Sequence, residues 1–160
     1  MTDFATTWTL SRQRFDDEVK DLTQEQLRWP LAPFGLSIGQ MAIHLAGVEM
    51  SFTTQLLGET LTPEDQKLKL AATEGVVNDN PFPYSEEEIT PASVQDALNR
   101  SRAKLGPLIA NPSPEILAKQ IKSALGPIID GQGAFARMSF HPAYHQGQAY
   151  LLKTHPNFPK

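Results

Sequence analysis

The sequence predicts an all-α fold, a four-helix bundle with two long crossover loops, on three observations. Apolar residues recur at helical spacing in four separate stretches. Thr or Ser followed three residues on by Gln, and a Thr-Pro step, mark where helices begin. No stretch alternates apolar and polar residues strongly enough to call for a sheet, so helices must bury their stripes against one another.

The elements follow in order. Phe4, Trp8, Phe15, Val19 and Leu22 fall on one face, with Arg12, Arg14, Asp17 and Lys20 mostly between them, which predicts a first helix over about residues 4–21. Thr23 and Gln26 form a short capping box, and Pro30 and Pro33 forbid a regular continuation, so LRWPLAPFG reads as a connector. A second box, Ser37 with Gln40, opens a long helix over residues 38–57 that Gly58 stops. Residues 59–89, rich in Pro, Asn and Asp, predict a long, mostly irregular crossover with a weak helical patch near residues 64–72. Thr90 and Pro91 begin a third long helix over residues 91–110, striped by Val94, Leu98, Leu105, Leu108 and Ile109. Prolines and glycines punctuate the next stretch around a short helix near residues 114–123, and a fourth long helix is expected over about residues 133–153.

Composition narrows the function classes. With 160 residues, 40% hydrophobic and 20% charged, the chain predicts a single domain over residues 1–160. There is no apolar run of membrane-spanning length and no basic, apolar leader in MTDFATTWTLSRQRF, so a soluble cytoplasmic protein is the expectation. Fourteen basic against eighteen acidic residues, without a dense Lys/Arg cluster, argue against nucleic acid as a partner. The absence of cysteine removes any protein thiolate as nucleophile or ligand. A metal would have to be held by histidine or carboxylate.

Three histidines satisfy that condition. His44 shares its helix face with Ser37, Gln40, Met41, Gly47, Val48 and Ser51, a small and half-apolar face that reads as interior. Glu49 falls well round the helix from it and is not a candidate ligand. His141 and His145 are four residues apart, which brings their β-carbons within roughly 5 to 6 Å on a helix. Their face continues through Ala134, Met138, Gln148 and Leu152. Three imidazoles are a common transition-metal set that leaves coordination positions open. The competing reading, three neutral core histidines, needs a hydrogen-bond partner for each, at about 1 to 3 kcal/mol for every one left unsatisfied. Gln40 and Gln148, one turn from the histidines, are read as capping or supporting groups ahead of substrate contacts. Pro142 predicts a kink or restart within the fourth helix. His155 reads as a surface residue, Trp8 and Trp29 as packing groups, and SEEEIT at residues 85–90 as a solvated segment leading into the third helix.

SIGQMAIHLAGVE, followed roughly a hundred residues later by HPAYHQGQ, resembles the DinB/YfiT-like superfamily. The resemblance implies an up-down-down-up bundle, frequent homodimers, and one divalent ion of zinc or nickel type held by His44, His141 and His145. It also implies a choice of chemistries. Similar proteins include transferases and isomerases dependent on low-molecular-weight thiols, and others assigned as metal-dependent hydrolases by inference alone. The expectation is therefore an enzyme whose nucleophile is an external small-molecule thiol acting on an electrophilic substrate, or metal-bound water. The alternative is a non-catalytic, stress-associated metal-binding homodimer. No catalytic residue is assigned, because no carboxylate stands at a helical spacing that would place it beside the three histidines.

Overall fold

The computed structural model describes residues 2–30 and 35–160, and the part of the connector that holds Pro33 lies outside the described residues. Each helix begins on a residue whose side chain caps it, and three of these, Thr23, Ser37 and Thr90, are the expected ones. Helix α1 (Asp3–Val19) starts on Thr2, whose side chain accepts from the Ala5 N–H. A short α2 (Gln24–Arg28) and the long α3 (Ile38–Leu57) each start on a complete capping box, at Thr23 and Ser37. Gly58, in the left-handed region at φ 71°, closes α3. The helical patch of the crossover is α4 (Pro63–Leu70), capped by Thr62. Thr90 caps α5 (Pro91–Ala110), and Ser113 caps α6 (Pro114–Ala118). The last helix, α7 (Gly131–Lys153), starts two residues ahead of the expected Gly133 because Asp130 accepts from the Gly133 N–H at 2.7 Å.

Two local expectations are corrected. The short helix predicted to reach residue 123 ends at Ala118, and the chain continues into a hairpin of β1 (Ile121–Lys122) and β2 (Ile128–Ile129), paired antiparallel with Ile121 opposite Ile129. Strands of two residues are too short to show an alternating pattern. Of the kink or restart expected at Pro142, the restart is absent, since α7 is one continuous helix through it. Packing along α1 carries α7 past the single missing donor, from the Ser139 hydroxyl on the Phe4 carbonyl to Lys153 on the Glu18 carboxylate.

Side-chain bonds set the helix directions. Thr2 donates to the Ile109 carbonyl and Arg12 to the Leu98 carbonyl, so α5 runs against α1. Phe4 meets Ser139 and Glu18 meets Lys153, so α7 runs with α1. Met41 and Leu45 pack with Phe15 and Val19, whereas Phe52 and Leu56 pack with Ala5 and Trp8, so α3 also runs against α1. The bundle is up-down-down-up. Two parallel neighbours, α3 and α5, require a connection that returns along the bundle, about 30 Å for a 20-residue helix. The long crossover with α4 supplies it.

A polar layer lies between the two apolar clusters. Glu49, 1% exposed, accepts from Trp8 Nε1 at 2.8 Å, from Arg12 Nε at 3.0 Å and from the Ser101 hydroxyl at 2.6 Å. Arg12, equally buried, also pairs with Asp16. Glu49 thus faces α1 and α5, away from His44, as helical phase requires. No helix among the described residues is long and apolar enough to cross a membrane.

Candidate metal centre

The position of His44 depends on how closely α4 approaches α3. One turn beyond His44, Gly47 has no side chain, and a β-carbon there would lie 2.6 Å from the Leu68 carbonyl oxygen and 2.8 Å from the Ala72 nitrogen. The backbone just after α4 can therefore sit against α3, which brings the Ala71 carbonyl to 2.9 Å from His44 Nδ1. A carbonyl only accepts, so Nδ1 carries the proton and Nε2 keeps its lone pair. At His145 the same logic runs through a side chain: Nδ1 lies 2.7 Å from Gln148 Oε1, again assigning the proton to Nδ1.

The continuous α7 stacks His141 on His145, with ring centroids 4.5 Å apart and their Nε2 atoms at 2.9 Å. His44 meets both edge-on, at 5.1 and 5.2 Å between centroids. One ring nitrogen from each histidine lies within 4.8 Å of the others. His141 Nδ1 is buried without a partner. The neutral-core reading can place one proton between His141 and His145, but it gives the convergence of His44 on that pair no purpose. His44 and His145 each have an acceptor for an Nδ1 proton, and all three histidines bring one ring nitrogen to a common centre, the donor set a divalent ion requires. The three histidines could hold one metal ion.

Burial in apolar surroundings is the main influence on the protonation of all three rings. It pushes His141 down to about 3, helped by the positive charge that protonated His145 and His44 would carry. It pushes His145 down to about 4, with repulsion from His44 adding to burial and the bond to Gln148 opposing it. His44 is lowered by burial against the opposing effect of the Ala71 carbonyl. The rings are therefore neutral, as ligands must be, at neutral pH.

The sign of the consequence for metal-free protein is fixed. A histidine whose folded pKa lies below its unfolded value near 6.5 favours folding above that value, and the contribution is lost as pH falls from 6.5 toward the folded pKa. Chelated protein is expected to lose about 1 kcal/mol or more of unfolding free energy between pH 7 and pH 5, measured by urea titration. His141→Ala should lose less over the same interval. An equal loss in the variant contradicts this account.

The centre opens on two clefts. The larger, about 620 Å³, is lined by His44, His141 and His145 together with Tyr144, Gln148 and His155. The smaller, about 410 Å³, reaches His44 and His141 from the side of the hairpin. Among the described residues no carboxylate lines either cleft.

His44, His141 and His145, far apart in sequence, are thus brought together. Gln148 supports His145, whereas Gln40 is occupied as the cap of α3, accepting from the Ser37 N–H at 2.9 Å. His155 is corrected from a surface residue to a half-buried one, its ring 5.2 Å from that of Trp29 and lining the larger cleft. Of SEEEIT, Ser85 to Glu88 are exposed, while Ile89 is buried in the core. Three further contributors are absent from the sequence-based expectations. The Ala71 carbonyl has no side-chain signal, Tyr144 rests 5.1 Å from the His145 ring, and Arg137 stands one turn before His141 at a spacing that could have been noticed.

Fold and centre together define a helical bundle with a three-histidine site between its second and last long helices. The chain belongs to the DinB superfamily, whose family model matches residues 7–149. A conserved protein from Enterococcus faecalis, known from its crystal structure, is similar over 92% of this chain and 91% of its own, with a TM-score of 0.64 and 18% identity. That likeness is one of fold. No functionally curated protein matches the chain.

Proposed function

We propose that His44, His141 and His145 bind one divalent zinc or nickel ion, and that the protein is an enzyme whose nucleophile is an external low-molecular-weight thiol or water. The observation that carries the proposal is the convergence of three imidazoles, two with their outer nitrogens bonded to Ala71 and Gln148, at a point open to two clefts. A bound ion supplies Lewis acidity, which lowers the pKa of a water or thiol that reaches it. The chain's own residues do the rest. Ala71 and Gln148 hold the rings in one tautomer and orientation, and Met41, Leu36 and Leu152 line the larger cleft with apolar surface that limits water. The lining is apolar and imidazole-rich rather than acidic, which supports an external thiol over a hydrolysis that calls for a carboxylate base.

The alternative is a non-catalytic homodimer in which the ion ties α3 to α7. One observation favours this alternative: Phe140, Tyr144 and Leu151, at 56%, 57% and 67% exposure on α7, border the two clefts, so a second copy seated on them would cover both. The test is metal-loaded protein incubated with a panel of thiols plus electrophiles, and with esters and amides. Turnover in the thiol panel is expected, and inactivity with both metals in both panels rules out the enzymatic reading. Sedimentation velocity of the same preparation should show a dimer; a monomer at every concentration rejects that assembly.

A further inference from the structure

The smaller cleft contains a charged group that the three-histidine site leaves unused. Arg137 lies on α7 one turn before His141, about 6 Å along the helix axis. It is half-buried, and around it the cleft is walled by Phe52, Val77, Leu125 and Phe140. Among the described residues its side chain makes one hydrogen bond, from Nη1 to the hydroxyl of Ser123 at 3.0 Å. None of the ion pairs among the described residues includes it. Ser123 is itself 2% exposed and held in the hairpin turn, its N–H on the Pro127 carbonyl and its own carbonyl bonded by Gly126 N–H. The guanidinium is therefore oriented from below by a fixed hydroxyl, while its remaining N–H donors are left for another acceptor. A planar fork of donors in an apolar wall matches a carboxylate, which it can bind with two parallel hydrogen bonds.

We propose that the smaller cleft binds the carboxylate end of a small organic acid on Arg137, with the acid's apolar body against Phe52 and Phe140 and its far end directed toward the histidine centre. The cleft volume of about 410 Å³ suits a molecule of that size. This deepens the proposed function by naming the substrate class as an apolar carboxylic acid, and it rests on that function only for what happens at the far end. The larger cleft, which His145 lines together with His44 and His141, is then left for the thiol.

The test is calorimetric titration of metal-loaded and chelator-treated protein with 3-phenylpropanoate, 3-phenylpropanamide and 3-phenylpropylamine, with metal content measured on each sample. The acid is expected to bind about tenfold or more tightly than the amide, with the amine weakest. Arg137→Gln should erase the preference for the acid, Ser123→Ala should reduce it several-fold, and Arg137→Lys should retain part of it, showing that charge rather than fold was lost. Preference surviving chelation but not Arg137→Gln places the acid on Arg137. Preference that disappears on chelation yet survives Arg137→Gln places it on the metal and overturns the proposal, as does equal binding of acid and amide. Absence of metal uptake would instead defeat the metal reading, and would leave an Arg137-dependent acid preference standing.

Discussion

Untagged wild-type protein will carry close to one equivalent of zinc or nickel by elemental analysis, and His44→Ala, His141→Ala and His145→Ala will each lose most of it. Among the described residues each histidine supplies one of only three nitrogens that converge, and no nearby carboxylate can substitute. Gln148→Ala should weaken the metal by a smaller margin, about 10- to 100-fold, because it removes the group that orients His145 and leaves all three nitrogens. His141→Ala should lose the metal without unfolding, since the mutation also removes a buried nitrogen with no partner. This separates loss of a ligand from loss of the fold. Unchanged metal content in all three alanine variants would refute the site.

Glu49→Ala is expected to destabilise the protein by about 3 to 5 kcal/mol, a fall in Tm of roughly 10 °C. Glu49 accepts three hydrogen bonds in the centre of the bundle, one of them from the equally buried Arg12. Removing the carboxylate leaves the guanidinium charge out of water with Asp16 as its one remaining carboxylate partner among the described residues, and deprives Trp8 Nε1 of its acceptor. The double substitution Arg12→Met with Glu49→Leu should recover much of the loss, because the desolvation of both charges disappears together. Thermal unfolding of the metal-free proteins measures both effects. A change below about 1 kcal/mol for the single variant would show that water reaches the layer and that the ion pair is not isolated.

The long helices were legible because their determinants are local. Ser37 and Thr90 stand directly before their helices, and the apolar stripe of each helix repeats within a few residues. Phase placed His44 and Glu49 on different faces of α3, and so excluded Glu49 as a ligand before its partners were known. The hairpin at residues 121–129 left no such trace, because its pairing is a relation between two residues and two others across a turn. His155 was misjudged for a similar reason: Trp29, on which it rests, lies more than a hundred residues earlier in the chain.

The centre divides in the same way. By itself the sequence determined that three histidines occupy inward faces of two helices, with His141 and His145 stacked by their spacing. Their meeting within 4.8 Å was expected only through resemblance to a known family, and it took the packing of α3 on α7 to bring them together. Only the tertiary structure decided which nitrogen of His44 and of His145 carries the proton. The tautomer of His44 depends on the Ala71 carbonyl, which reaches it because Gly47 permits close packing 24 residues earlier in the chain. Side-chain type and helical period are written locally in a sequence. A backbone carbonyl looks the same at every position, and its placement is settled only when helices pack.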